Sequence, residues 1–151
     1  MSGELLLLSG PNLNLLGERQ PLIYGSETLG DLVDRATTAA ATHGMTVRHR
    51  QSNHEGDLVD EIHAARRTTV GLIVNAAALT HYGRSLHDAL LAYDEPKVEL
   101  HISNPLAREE WRHVSVVSGV VDATISGFGS AGYELAVHGL AALIAERTAS
   151  E

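Results

Sequence analysis

The chain has 151 residues, with 19 acidic against 11 basic side chains and a net charge of −8. That length fits a single domain over 1–151 with one core, and the acid excess argues against the broad basic face that nucleic acid requires. The absence of cysteine removes disulfides, thiolate metal sites and thiol nucleophiles together.

Leu5–Leu8 reads as a strand buried on both faces, since such a strand has no reason to alternate. Thr28 to His43 reads as a helix with Leu29, Leu32, Val33, Ala36 and Ala40 on one stripe, Thr28 and Asp31 as its cap, and Gly44 as its stop. Met45–Arg50 alternates as an edge strand does. Ser52-Asn53-His54-Glu55 has the form of a capping box before a helix carrying Leu58, Val59, Ile62 and Ala65. Val70–Val74 is the third strand, about Ser85 to Tyr93 a helix, Val98–Ile102 the fourth strand and Asp122–Ile125 the fifth. The last helix is expected from about Ser130 to Arg147.

Strands alternating with helices predict an α/β fold with a parallel sheet between helical layers. Five strands in a chain of this length suggest a flavodoxin-like three-layer sandwich with strand order 2-1-3-4-5. Ligands in such folds bind beyond the carboxyl ends of the strands. Three segments lie there: Ser9–Tyr24, Asn75–Arg84 and His101–Arg112. No apolar run approaches the ~20 residues of a membrane span, and Met1-Ser2-Gly3-Glu4 has no secretion-signal pattern, so a cytoplasmic protein with no membrane partner is expected.

The first connection is long for its type, about eighteen residues where about 2–6 is usual. It reads as a surface loop, or as a lid hinged at Gly17 and Gly25 that carries Arg19 and Tyr24. A phenol ionises near pH ~10, so holding one ionised at pH 7 costs roughly 4 kcal/mol. A guanidinium about 4 Å away, at an effective dielectric of ~20, supplies about that much. Asn75 and His81 flank small residues that let a ligand approach the backbone, although a plain loop has the same look. In the fourth strand Glu99, His101 and Ser103 alternate with Val98, Leu100 and Ile102, so one face is polar where an interior strand is usually apolar on both. Residues two apart share a face, which lets Glu99 hold His101 as a simple satisfied pair or as a general acid with its orienting carboxylate. Arg108 and Arg112, four apart, are expected on one face of a helical turn, either solvated or facing an anionic or hydroxylated substrate.

Two patterns point elsewhere. Gly127-Phe128-Gly129-Ser130-Ala131-Gly132 matches GxGxxG, but no strand follows to complete a dinucleotide unit, so the glycines are read as close strand-to-helix packing. The nine histidines lack HxxxH and HExxH spacing, so no metal site is expected.

Several stretches together resemble type II 3-dehydroquinate dehydratase: Ser9-Gly10-Pro11-Asn12-Leu13-Asn14-Leu15-Leu16-Gly17, Arg19 with Tyr24-Gly25, Gln51-Ser52-Asn53-His54-Glu55-Gly56, Asn75-Ala76 with Thr80-His81, Glu99-Leu100-His101-Ile102-Ser103-Asn104, Arg108-Glu109-Glu110 and the Gly-rich segment up to Tyr133. The similarity runs from Leu5 to about Ala142. It implies dehydration of 3-dehydroquinate to 3-dehydroshikimate in the shikimate or quinate pathway, by anti elimination through an enolate and without a cofactor. It further implies Tyr24 as the base for the C2 proton, Arg19 as its activating cation, Asn12 as the residue positioning a water at the enolate, and His101, oriented by Glu99, as the acid for the C1 hydroxyl. Asn75 with the Ile102–Ser103 backbone would hold the substrate carboxylate, Arg108 would bind substrate, and His81 and Arg112 would meet ring hydroxyls. Asp88 would reach a neighbouring subunit's site in a homododecamer built from trimers.

The other route to this product uses a lysine imine, and the one lysine, Lys97, falls at the wrong end of its strand. The chain departs from the family pattern at Ala77, at Tyr82-Gly83-Arg84 and at His87, where a small residue such as Gly, Thr-Ser and Arg are usual. A second reading is a flavodoxin-like module that binds a nucleotide or flavin without catalysis. It lacks a phosphate-cradling loop, because Pro11 and two Asn follow the first strand. A phosphoacceptor receiver is weaker still, with no paired acids at the end of that strand.

Overall fold

The computed structural model describes residues 2–151. Five strands, β1 (Gly3–Ser9), β2 (Met45–Gln51), β3 (Gly71–Asn75), β4 (Lys97–His101) and β5 (Ala123–Ser126), form one sheet in the order β2-β1-β3-β4-β5. Every pairing is parallel. The expected flavodoxin-like order is therefore observed, with β2 and β5 at the edges.

The helices are α1 (Pro21–Tyr24), α2 (Leu29–Ala41), α3 (Glu55–Ala65), α4 (Arg84–Leu91) and α5 (Ala131–Ser150). Side chains on a strand alternate between faces, so the apolar run of β1 feeds two cores. Leu5 and Leu7 join Ile73, Val98 and Leu100 beneath Leu32 and Ala36 of α2 and Tyr133 and Val137 of α5. Leu6 and Leu8 join Leu72 and Val74 beneath Leu58 and Ile62 of α3 and Leu86 and Leu90 of α4. No helix among the described residues is long and apolar enough to cross a membrane.

The capping box of α2 forms as expected: the Asp31 amide donates to Thr28 Oγ1 at 3.2 Å, and the Thr28 amide donates to Asp31 Oδ2 at 2.9 Å. The box expected at Ser52 does not form. The Ser52 hydroxyl accepts from the His54 amide at 3.0 Å and donates to Asp57 at 2.6 Å. Glu55 turns to the neighbouring helix and accepts the Leu86 amide, in the first turn of α4, at 2.9 Å. Of the GxGxxG glycines, Gly132 alone packs helix against strand as anticipated, while Gly127 and Gly129 serve the turn. Gly127 and Gly129 have φ of +87° and +62°, and a Cβ on Gly132 would stand 3.0 Å from Leu100 Cδ1.

Candidate active site

The cavity opens at the carboxyl ends of β1, β3 and β4, and its position follows from a close approach of two backbones. The Gly10 amide donates to the Asn75 carbonyl at 2.8 Å. A Cβ on Gly10 would lie 2.3 Å from the Ala76 oxygen, so only glycine lets the ends of β1 and β3 meet. The chain then bends through Asn12, in the left-handed region at φ +68°, whose amide donates to Asn53 Oδ1 at 3.0 Å. Leu13 and Leu16 are buried in the core and anchor the first half of the long connection. The second half carries α1, entered at Gln20 (φ +44°) and left at Gly25 (φ +79°), which brings Tyr24 over the cavity.

Two guanidinium groups flank that tyrosine. Arg19 Cζ lies 5.2 Å and Arg108 Cζ 5.1 Å from the ring centroid. The hydrogen bond to the phenol oxygen comes from Arg108 Nη1 at 2.7 Å, and the same nitrogen reaches Ser103 Oγ at 3.3 Å. Arg108 Nε is buried and has no hydrogen-bond partner, the Glu109 carboxylate standing 3.9 Å away. The expected helical turn joining Arg108 to Arg112 is absent. Extended backbone at Arg108 leaves two separate 3₁₀ turns, Pro105–Ala107 and Glu110–Arg112, yet both arginines line the cavity.

Glu99 and His101, two apart on β4, are paired through Glu99 Oε2 and His101 Nε2. Glu99 is 2% exposed. Ser118 Oγ donates to its other oxygen at 2.6 Å, with Ser115 Oγ at 3.1 Å. Burial alone would raise the Glu99 carboxyl, but the hydrogen bonds from His101 and Ser118, together with the attraction of His101, outweigh it and hold the group below the ordinary carboxylate value. His101 thus donates from Nε2 to a carboxylate, while Nδ1 carries no protein hydrogen bond among the described residues.

On the β3 side, Asn75 is locked. Its Nδ2 donates to Tyr133 Oη at 3.2 Å, and its Oδ1 accepts from the Ala77 amide at 3.3 Å. Burial pushes the Tyr133 phenol up to about 12, so it stays protonated behind Asn75. His81 donates from Nδ1 to the Val114 carbonyl at 2.7 Å, and burial holds it below the usual histidine value.

Asn12, Arg19, Tyr24, Asn75, His81, His101, Ile102, Ser103, Arg108 and Arg112 all line one cavity of about 190 Å³, with Glu99 directly behind His101. No lysine and no carboxylate is among its lining residues. Lys97 stands at the opposite end of β4 and donates to the Tyr93 carbonyl. Among the described residues no group of three or more His, Asp or Glu side chains is arranged to hold a metal ion.

The family model for class II dehydroquinase matches residues 3–141 of this chain. The chain belongs to the class II dehydroquinase family. The 3-dehydroquinate dehydratase of Corynebacterium glutamicum is 52% identical over 143 residues, covering 95% of this chain and 99% of that protein. The crystal structure of type II dehydroquinase from Propionibacterium acnes superposes with a TM-score of 0.88 at 45% identity, covering 94% of this chain and 98% of that one. That from Butyrivibrio crossotus gives 0.89 at 40% identity, covering 92% and 97%.

Within this dehydroquinase chain, one residue carried over by resemblance stands apart: Asp88 is exposed on α4 and does not line the cavity. Of the departures from the family pattern, Ala77 lines the cavity with φ +52°, whereas Tyr82, Arg84 and His87 do not line it. Sequence reasoning missed two features. The phenol of Tyr24 is bonded by Arg108, 84 residues away, rather than by the Arg19 that shares its loop. Trp111 lines the cavity beside Arg112 and His81, and its adjacency to Arg112 was the signal available.

Proposed function

We propose that this protein dehydrates 3-dehydroquinate to 3-dehydroshikimate by anti elimination through an enolate, with neither an imine nor a metal. The observation that carries the reading is a phenol flanked by two guanidiniums and a carboxylate-backed imidazole in one cavity of a class II dehydroquinase. A proton beside a ketone needs a base, the enolate needs stabilising, and hydroxide needs an acid to leave. Tyr24 as phenolate takes the C2 proton, with Arg108 and Arg19 offsetting its charge. Asn12 positions a water at the enolate oxygen. The electrons return to form the C1–C2 double bond as the C1–O bond breaks, and His101 protonates the departing hydroxide to give water. His101 then regains a proton and Tyr24 loses one, which resets the pair.

Asn75 and the Ile102–Ser103 backbone take the substrate carboxylate, Arg108 contributes a further contact, and His81 and Arg112 meet ring hydroxyls. Lys97, at the far end of the sheet, supports a route without an imine. Asp88, exposed on α4, serves a neighbouring subunit in a homododecamer built from trimers, and the protein acts in the cytoplasm. A native mass of a single chain would sink the assembly. The decisive test follows the ultraviolet absorbance of the enone formed from 3-dehydroquinate. Tyr24→Phe is expected to lower kcat by ~10²–10⁴-fold while substrate still binds, and borohydride added with substrate is expected not to inactivate. Retained turnover in Tyr24→Phe would refute the base. Thermal stabilisation by FMN and not by dehydroquinate would favour the flavin-binding alternative.

A further inference from the structure

We propose that Trp111 is a positioning residue for the substrate's hydroxylated ring, its indole holding the Arg112 guanidinium and the His81 imidazole in the orientation in which they meet that ring. The inference rests on the dehydratase reading and deepens it by assigning a residue to one wall of the site.

Trp111 is the chain's only tryptophan, and it is 52% exposed at the cavity rather than packed in either core. It lies in the short 3₁₀ turn Glu110–Arg112. Such a turn has little rigidity of its own, so the side chains it carries need outside support. Arg112 Cζ stands 4.0 Å over the indole centroid. Arg112 Nε donates to Glu109 Oε2 at 2.9 Å. The guanidinium is thus held on one face by the indole and on one edge by a carboxylate. Its Nη1 and Nη2 carry no protein hydrogen bond among the described residues, although its side chain is only 13% exposed. A mostly buried cation with two unpaired N–H₂ groups at a cavity is prepared for oxygen acceptors.

The second neighbour of the indole is His81. Its ring crosses the indole at 89° with centroids 5.3 Å apart. Its Nδ1 is committed to the Val114 carbonyl, which leaves Nε2 without a protein partner among the described residues. One aromatic surface therefore braces both side chains expected on the ring hydroxyls. Its two roles differ physically: the stack on Arg112 needs a π face under a cation, whereas the contact with His81 needs bulk and an edge.

That difference sets the test. Trp111→Phe keeps a π face, and Trp111→Leu keeps apolar bulk without one. In steady-state kinetics with 3-dehydroquinate, Trp111→Leu is expected to raise KM about three- to tenfold, the range of a partly desolvated cation–π contact, with kcat within about twofold. Trp111→Phe is expected to restore most of that loss. Wild-type KM in Trp111→Leu, or a loss confined to kcat, overturns the proposal while the dehydratase reading stands. Absence of turnover by the unmodified protein overturns the dehydratase reading itself. Binding supplies a second readout, because Trp111 is the sole indole emitter. Titrating 3-dehydroquinate into Tyr24→Phe is expected to shift its fluorescence, and an unchanged emission at saturation counts against the assignment.

Discussion

A carboxylate that water barely reaches holds His101. Glu99 accepts hydrogen bonds from His101, Ser115 and Ser118, and these reverse what burial alone would do to its ionisation. The carboxyl therefore ionises more readily in the folded chain than in the unfolded one. Linkage gives the sign: the network stabilises the fold above the unfolded value of about 4.5 and is lost as pH falls through the lower folded value. Glu99→Gln is nearly isosteric; it removes the charge and turns one of the two accepting oxygens into a donor. Its unfolding free energy is expected to fall less steeply with pH below about 4.5 than that of the unmodified chain, as read from urea titrations at successive pH values. Its kcat is expected to drop toward the ~10²–10⁴-fold loss that follows removal of a general acid. Parallel acid limbs in the two proteins would mean that folding does not lower the Glu99 carboxyl, and the network would then not favour the carboxylate that anchors the proposed acid.

At the scale of elements, the joint between β1 and β3 sets the cavity. A methyl group at Gly10 meets the Ala76 carbonyl 2.3 Å away, and the bond from the Gly10 amide to the Asn75 carbonyl next to it holds the two segments close. Gly10→Ala is expected to cost roughly 1–3 kcal/mol in urea unfolding. Moving Asn12 and Asn75 apart should also raise KM; unchanged stability would show that the two ends yield. Local rules made much of the fold legible: the apolar run of β1, the polar face of β4 and the Thr28–Asp31 cap each depend on neighbours in sequence. What escaped depends on distant partners. Glu55 looks like a local cap, but caps another helix. Arg108 and Arg112 have helical spacing, but extended backbone at Arg108 and a non-helical Glu109 break the turn between them. The pairing of Tyr24 with Arg108 spans 84 positions, and no periodicity encodes it.

At the scale of the whole molecule, two charge distributions oppose each other. The chain is acidic overall, at −8, so at long range it repels an anion such as the proposed carboxylate substrate. The cavity has the reverse character, lined by Arg19, Arg108 and Arg112 with no carboxylate among its lining residues. Glu109, outside the lining, pairs with Arg112 and stands near Arg108, so one carboxylate is set against the three cations, whereas much of the remaining basic charge is fully matched: Arg35 by Glu27 and Glu134, Arg48 by Glu4 and Glu61, Arg147 by Glu95. Distance and screening decide between the two effects. At 0.1 M salt the Debye length is ~10 Å, so scattered surface carboxylates act only weakly on a ligand in the cavity. Cations within about 4 Å of that ligand, in a partly desolvated pocket, are screened much less but still measurably. Raising salt from about 0.1 to about 0.5 M is therefore expected to increase KM for 3-dehydroquinate a few-fold and to leave kcat nearly unchanged, measured with a salt whose ions do not compete for the site. A KM that falls as salt rises would mean that the net charge governs the encounter and outweighs the three guanidiniums of the cavity.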